Sequence, residues 1–209
     1  HQKFIPFLKR IQKKHDCGRV IHLGDAVDWS AISFHEKDPS MPSAAEEYRQ
    51  AAKQMAQLYR AFPKLDYMMG NHCSLPSRKA KMICLPEEVL CDFKALWGVD
   101  GWTVHPRFSK LVINGVAYAH GDSGKGGQHA AYKNAQAEFM SYVQGHLHSQ
   151  AGVSYHANKE NLVFGLSVGC GVDNNNPAMN YGRAYAAKPI LGCGVVYSSK
   201  QAIFEPMSL

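Results

Sequence analysis

The sequence predicts an α/β fold with helices over the faces of a sheet, and three observations carry that expectation. Helical and strand-like patterns alternate through the first third of the chain. The early apolar runs VIHLGD and LDYMMG stop at glycines, and the later part switches to short strand-like runs joined by turn residues.

The elements follow in order. Phe4, Leu8 and Ile11 form one apolar stripe opposite lysines, which predicts a helix from Phe4 to about Lys14, and VIHLGD after it reads as a buried strand ending at Gly24. Ser43 followed by Glu46 is a capping box ahead of an alanine-rich, charged helix running to about Phe62. LDYMM is the next strand, and a third helix is expected from Pro86 to Trp97 with proline in its first turn. WTVHPRF, KLVI and VAYAHG read as strands, the last two joined by Asn114–Gly115, a strong hairpin signal. A glycine-rich run from Gly124 to Gly127 precedes a weak helix through roughly Glu138. SYVQ, GVSYH, NLVFGLS, LGCGVVYS and QAIFEP complete the set of strands. GCGV occurs twice, at Gly169 and Gly192, and is read as coincidence or as two close backbone approaches, not as duplicated domains.

With 209 residues, 45% of them hydrophobic, the chain has the size of one ordinary α/β domain spanning 1–209. No run has the length of apolar residues a membrane helix needs, and HQKFIPFLKRIQKK lacks the features of a secretory leader, so no membrane partner is expected. A formal net charge of +6 suits a polyanionic partner or phosphate-bearing substrate, and suits a solvated basic face equally well. The basic clusters KFIPFLKRIQKKH and SRKAK lack the interleaved aromatics of a nucleic-acid stacking surface. Six cysteines show no CxxC pairing; reduced thiols in a chain of this size imply the cytosol, and Cys84 and Cys91 are expected to act as small hydrophobes.

Four apolar runs end in similar chemistry: VIHLGD at Asp25, DYMMGNH at Asn71 and His72, VAYAHG at His120, and SYVQGHLH at His146 and His148. The carboxyl ends of strands in open α/β sheets are where ligands collect. Carboxylate, amide oxygen and imidazole suit Mn, Fe, Zn or Ni, whereas a structural thiolate site would need cysteines in their place. Two histidines with one residue between them can face two sides of one small space and so serve two neighbouring metals. His15, His35, His105, His129 and His156 are read as satisfied surface or core residues, and His22 as a hydrogen-bonded sheet histidine. DSGKGGQ invites an anion-cradle reading but fails the phosphate-loop pattern, and a mobile substrate-side loop is preferred.

GDAVD, GNHC, AHG and GHLH, in that order from Gly24 to His148, resemble the calcineurin-like metallophosphoesterase superfamily, and most of all its small single-domain members from bacteria and their viruses. The resemblance implies an α/β/β/α sandwich with mixed sheets and two divalent metal ions, Mn first, with Fe, Zn or Ni as alternatives. Asp25 resembles the aspartate that bridges the metals; Asn71, His120 and His146 resemble further ligands of one metal, and His148 a ligand of the other. His72 is similar to the histidine that stabilises charge or protonates the leaving oxygen, and Asp28 matches the second aspartate of GDxxD. The implied activity is phosphoester hydrolysis by a metal-bridging hydroxide, of phosphodiesterase or nuclease type, in the cytoplasm of a bacterium or phage-infected cell.

Two features depart from the pattern. The family's opening DxH strand is absent from this chain, and an N-terminal strand upstream of His1 is expected, because VIHLGD would otherwise expose an edge of a buried sheet. The alternative is a crippled first metal site. Cys73 stands where an acidic residue usually follows GNH and helps orient the histidine, so His72 is either less well held or held by another carboxylate; Cys73 as a metal ligand is a further option. A Ser/Thr-type phosphomonoesterase and a non-catalytic metal-binding module remain alternatives. Substrate choice is assigned to the loops Ser30–Ser43, Ser74–Leu85 and Gly124–Gln128. Trp29, Phe34 and Trp97 are candidates for a contact patch, with Trp97 placed more readily in the core.

Overall fold

A computed structural model describes residues 1–34, 41–173 and 186–208, and along them helices alternate with parallel and antiparallel strands as a mixed α/β chain. They gather into two compact units, one of Arg19–Arg107 and one of His1–Gly18 with Phe108–Leu209. His35 and the middle of the Ser30–Ser43 loop lie outside the described residues. No helix among the described residues is long and apolar enough to cross a membrane.

The Arg19–Arg107 unit is built on three parallel strands, β1 (Ile21–His22), β2 (Asp66–Met68) and β3 (Thr103–His105), in spatial order β1-β2-β3. β2 is buried along its whole length, while β1 is half-buried and pairs, among the described residues, with β2 alone. Tyr67 at the centre of β2 is fully buried and stacks on Trp102 at 5.5 Å, Phe93 at 4.9 Å and His22 at 4.9 Å. Such aromatic pairs are worth about 0.5–1.5 kcal/mol each beyond the area they bury. His22 is thus a sheet histidine, its Nδ1 accepting from the Gly24 amide at 3.1 Å.

Helix α2 (Ala44–Ala61) starts at the expected capping box: Ser43 accepts from the Glu46 amide, and the Glu46 carboxylate accepts from the Ser43 amide at 2.8 Å. The expected helix from Pro86 to Trp97 is corrected. Pro86 is extended, Glu87–Val89 form one 3-10 turn, Leu90 is extended again, and only Phe93–Trp97 (α4) are helical. Asp92 causes the break, because its carboxylate accepts from the Lys94 and Ala95 amides and so starts a new helix. Ser74–Leu85, expected as a loop, is mostly helix α3 (Leu75–Met82), with Pro76 in its first turn. Cys84 and Cys91 are exposed and not small core hydrophobes, since the turns that flank α3 and α4 carry them outward. Trp97 and Trp29 are both buried, packed together at 5.7 Å with Tyr48, so of the expected contact patch only Phe34 is exposed.

The other unit carries a five-stranded mixed sheet in order β4 (Leu111–Ile113), β5 (Val116–Ala119), β6 (Ser141–Gln144), β8 (Leu162–Val168), β7 (Ala151–Ala157). β5, β6 and β8 run parallel, and β4 and β7 are antiparallel edges. Asn114 and Gly115 turn the β4–β5 hairpin with φ of 48° and 77°, the pair of positive angles that a tight hairpin turn demands. Helix α5 (Ala130–Glu138) lies so close to β8 that a Cβ at Gly165 would collide with the backbone of Ala131 and Tyr132. Helix α1 (Phe4–Lys14) buries Phe7 and Ile11 against Val195 and Met207, with Phe4 and Leu8 at the margin of the same cluster. Val195 and Met207 come from, or adjoin, the hairpin β9 (Gly192–Ser198) and β10 (Gln201–Pro206). The two GCGV stretches prove to be close approaches: the Gly192 amide donates to the Cys170 carbonyl at 3.1 Å, and a Cβ at Gly194 would press on Leu166 and Val168.

Candidate functional site

In the Arg19–Arg107 unit two loops leave adjacent parallel strands at their carboxyl ends: GDAVD after β1 and GNHC after β2. The strand register pairs His22 with Tyr67, so both loops emerge on the same edge. Asp25 sits in the left-handed region with φ of 54°, an uncommon state for a residue with a side chain. Its Oδ1 accepts from the His72 amide at 2.9 Å and the Cys73 amide at 3.2 Å. The carboxylate is thereby fixed on the neighbouring loop.

His72 is gripped by Asp28. Its Nδ1 lies 2.6 Å from the Asp28 carboxylate and 3.1 Å from the Asp28 carbonyl. Both partners are acceptors, so Nδ1 carries the hydrogen and Nε2 is the nitrogen left for other work. Burial pulls the imidazolium down, but the hydrogen bond and charge of Asp28, with Asp25 adding, outweigh it and push the group up to about 9. Of the two readings of the missing acidic residue, the structure follows the second: Asp28 supplies the carboxylate.

Cys73 is turned away from this chemistry. Its thiol is buried, 2.8 Å from the Tyr67 hydroxyl and 3.8 Å from the Val27 carbonyl, to which it donates. Burial, with the Asp25 charge second, pushes it up to about 12. Tyr67 also accepts from the Ala26 amide at 3.0 Å, tying the GD loop to the core. Asn71 is half-buried, and its carbonyl accepts from Ser74 Oγ at 3.2 Å and Arg78 Nη1 at 3.1 Å.

In the other unit, β5 and β6 are parallel neighbours with Ala119 opposite Gln144, so the next residues of both strands emerge side by side. The Gly145 amide donates to the His120 carbonyl at 3.0 Å. His120 is buried and His146 half-buried, with ring centres 5.1 Å apart at 65°. His146 has φ of 64°, and the Leu147 amide donates to the Gly145 carbonyl at 2.7 Å across it, a γ-turn of the rare strained kind. Strain of this sort persists where the surroundings enforce it, commonly at functional positions. His148 is half-buried, its carbonyl accepting from the Ile190 amide at 2.8 Å.

Within this unit the two imidazoles are of a donor type that suits a divalent first-row cation. A 5.1 Å ring separation is also what two imidazoles on one ion would have, each ring centre then standing about 3.2 Å from it.

Several residues around the motifs carry no motif of their own. Asn134 on α5 accepts from the Lys125 amide at 2.7 Å and donates to Gln144 Oε1 at 2.7 Å, pinning the glycine-rich loop to the end of β6. Arg78 touches Asn71 from α3. Their only sequence signal is polarity near a motif, which many surface residues share. The remaining histidines are accounted for in part: His15 bonds Glu205 and Tyr197, His105 bonds Asp66 and His156 bonds Tyr132. No family model matches the sequence, and neither does any curated protein.

Proposed function

We propose that the chain is a metal-dependent phosphoester hydrolase of the phosphodiesterase or nuclease type, with the α/β/β/α sandwich of the calcineurin-like metallophosphoesterases. The observation that carries this is the grip of Asp28 on His72 beside the anchored Asp25. That constellation orients an imidazole with a defined tautomer next to a carboxylate at a strand end, and the ordered motifs through His148 support the same reading.

Asp25, Asn71, His120, His146 and His148 would hold two divalent ions, of which Mn suits the oxygen and imidazole donors well. Bound ions would supply an activated water and neutralise charge developing on the phosphoryl oxygens. The protein's own part is positional. Asp28 keeps the His72 proton at Nδ1 and directs Nε2 at the leaving oxygen, where a protonated ring donates. Asp25 keeps the two loops in register, so that His72 is not free to swing away.

The test is hydrolysis of bis-p-nitrophenyl phosphate and p-nitrophenyl phosphate with added Mn, using His72→Ala as control. The diester should turn over faster than the monoester, and the variant should lose about 100-fold or more, as expected when a positioned acid is removed. Turnover of the monoester alone favours a phosphomonoesterase. No turnover of either ends the hydrolase reading.

A further inference from the structure

We propose that Phe34, Arg78 and Lys79 form a subsite for a single-stranded polynucleotide, one base lying against the exposed aromatic ring and the flanking phosphates meeting the two cations. The proposal rests on the phosphodiesterase reading above and names the substrate class of that site.

The basic run SRKAK has no aromatic neighbours of its own, and the fold supplies one from far upstream. The Arg78 guanidinium carbon stands 4.8 Å from the centre of the Phe34 ring, and Lys79 Nζ 3.8 Å from it. Both are inside the distance at which a ring's electron-rich face attracts a cation. Phe34 is nonetheless 49% exposed, so much of the ring still faces solvent. Among the described residues neither Arg78 nor Lys79 has a carboxylate partner, in contrast to Lys81, which pairs with Glu87 at 3.3 Å. These two positive charges are held by an aromatic surface and left available to an anion.

The subsite also joins the candidate site in the same unit, because Arg78 Nη1 donates to the carbonyl of Asn71 at 3.1 Å. A strand engaged here would thus lie next to the GNH loop. A free phosphate needs cations but no exposed ring, and a phosphopeptide offers phosphate without an obligatory flat partner. A polynucleotide alternates charge with flat bases, and every base has a face that stacks on an aromatic side chain.

The experiment separates binding from chemistry. Fluorescence anisotropy with a labelled oligothymidylate, in buffer with chelator so that nothing is cleaved, should show Phe34→Ala binding about 5- to 100-fold more weakly than the parent. Phe34→Trp should bind as well or better, which a loss of folding would not reproduce. Lys79→Gln should lower the salt slope by about 0.7, the value for one phosphate contact on a single strand. Equal oligonucleotide binding by parent and Phe34→Ala overturns the subsite, as does tighter binding of a phosphopeptide or of a mononucleotide. Loss of binding in Phe34→Ala from a parent that hydrolyses no phosphoester supports the subsite and overturns only the hydrolase reading.

Discussion

The Asp28 carboxylate lies 2.6 Å from Nδ1 of His72, and the carbonyl of the same aspartate adds a second acceptor at 3.1 Å. One residue of the loop after β1 therefore sets the orientation, tautomer and basicity of a ring on the loop after β2. The imidazolium is held up to about 9, with burial opposing and the Asp28 hydrogen bond and charge prevailing. A group raised above its unfolded value stabilises the fold fully below that value, near 6.5, and the benefit fades as pH rises through the folded value. In metal-free protein Asp28→Asn should bring the His72 titration midpoint down to about 7 or lower, read by NMR, and flatten the stability profile over that window. Hydrolysis should fall about 10- to 100-fold, the usual effect of losing a supporting carboxylate. An unchanged midpoint would show that something else holds the ring.

Placing an acid at position 73 should do harm. The Cys73 side chain is buried against Tyr67, and its amide already serves Asp25. Cys73→Asp would place a carboxylate in that buried space, with the Asp25 charge nearby. The expected cost is about 3 kcal/mol or more, with no gain in hydrolysis because Asp28 already orients His72. Urea unfolding checks this, and parent-like stability would mean that the position opens to solvent.

Glu205 is the place to look for acid sensitivity in the unit that carries α1. Its Oε1 accepts from Lys14 Nζ at 2.7 Å and lies 2.6 Å from His15 Nε2, and His15 Nδ1 meets the Tyr197 hydroxyl at 2.6 Å. The Lys14 bond foremost, against some burial and with help from His15, holds the Glu205 carboxyl below its usual range. A lowered carboxyl stabilises above its unfolded value, near 4.5, and the benefit disappears as pH falls through the folded value. Glu205→Gln should leave less pH dependence in unfolding below about pH 4.5 than the parent shows, and the difference should shrink in high salt, since Lys14 is exposed. Equal acid dependence in both proteins would remove Glu205 from the account.

Local signals made much of this legible. Ser43 with Glu46, Asn114 with Gly115, and the Phe4, Leu8, Ile11 stripe each specify their element within a few residues, and each element formed there. Asp92 misled because a carboxylate inside an apolar-periodic run looks like helix interior, whereas its side chain caps a new start. The partner of His72 was not readable either. Cys73 follows His72 where a carboxylate was expected, and only the packing of one loop on the other brings Asp28 to the ring. Phe34 beneath Arg78 is a contact between segments far apart in sequence, for which periodicity offers no signal. The histidine pair was more accessible, because two strand ends in parallel register must present their next residues together.

That pair supplies the most direct test of metal binding. His120 and His146 have ring centres 5.1 Å apart at the ends of neighbouring parallel strands, and His146 is kept in a left-handed γ-turn at φ of 64°. If the turn exists to aim an imidazole at an ion, His146→Ala should lose metal while keeping the strained backbone. His146→Gly should lose metal equally but be the more stable of the two by about 1 kcal/mol, because glycine meets no penalty at positive φ. After gel filtration, plasma emission should find at least one equivalent of metal fewer in both variants than in the parent, and hydrolysis should drop with it. Undiminished metal in both would dismiss His146 as a ligand. A stability gain in the glycine variant would then mark the turn as a matter of chain geometry alone.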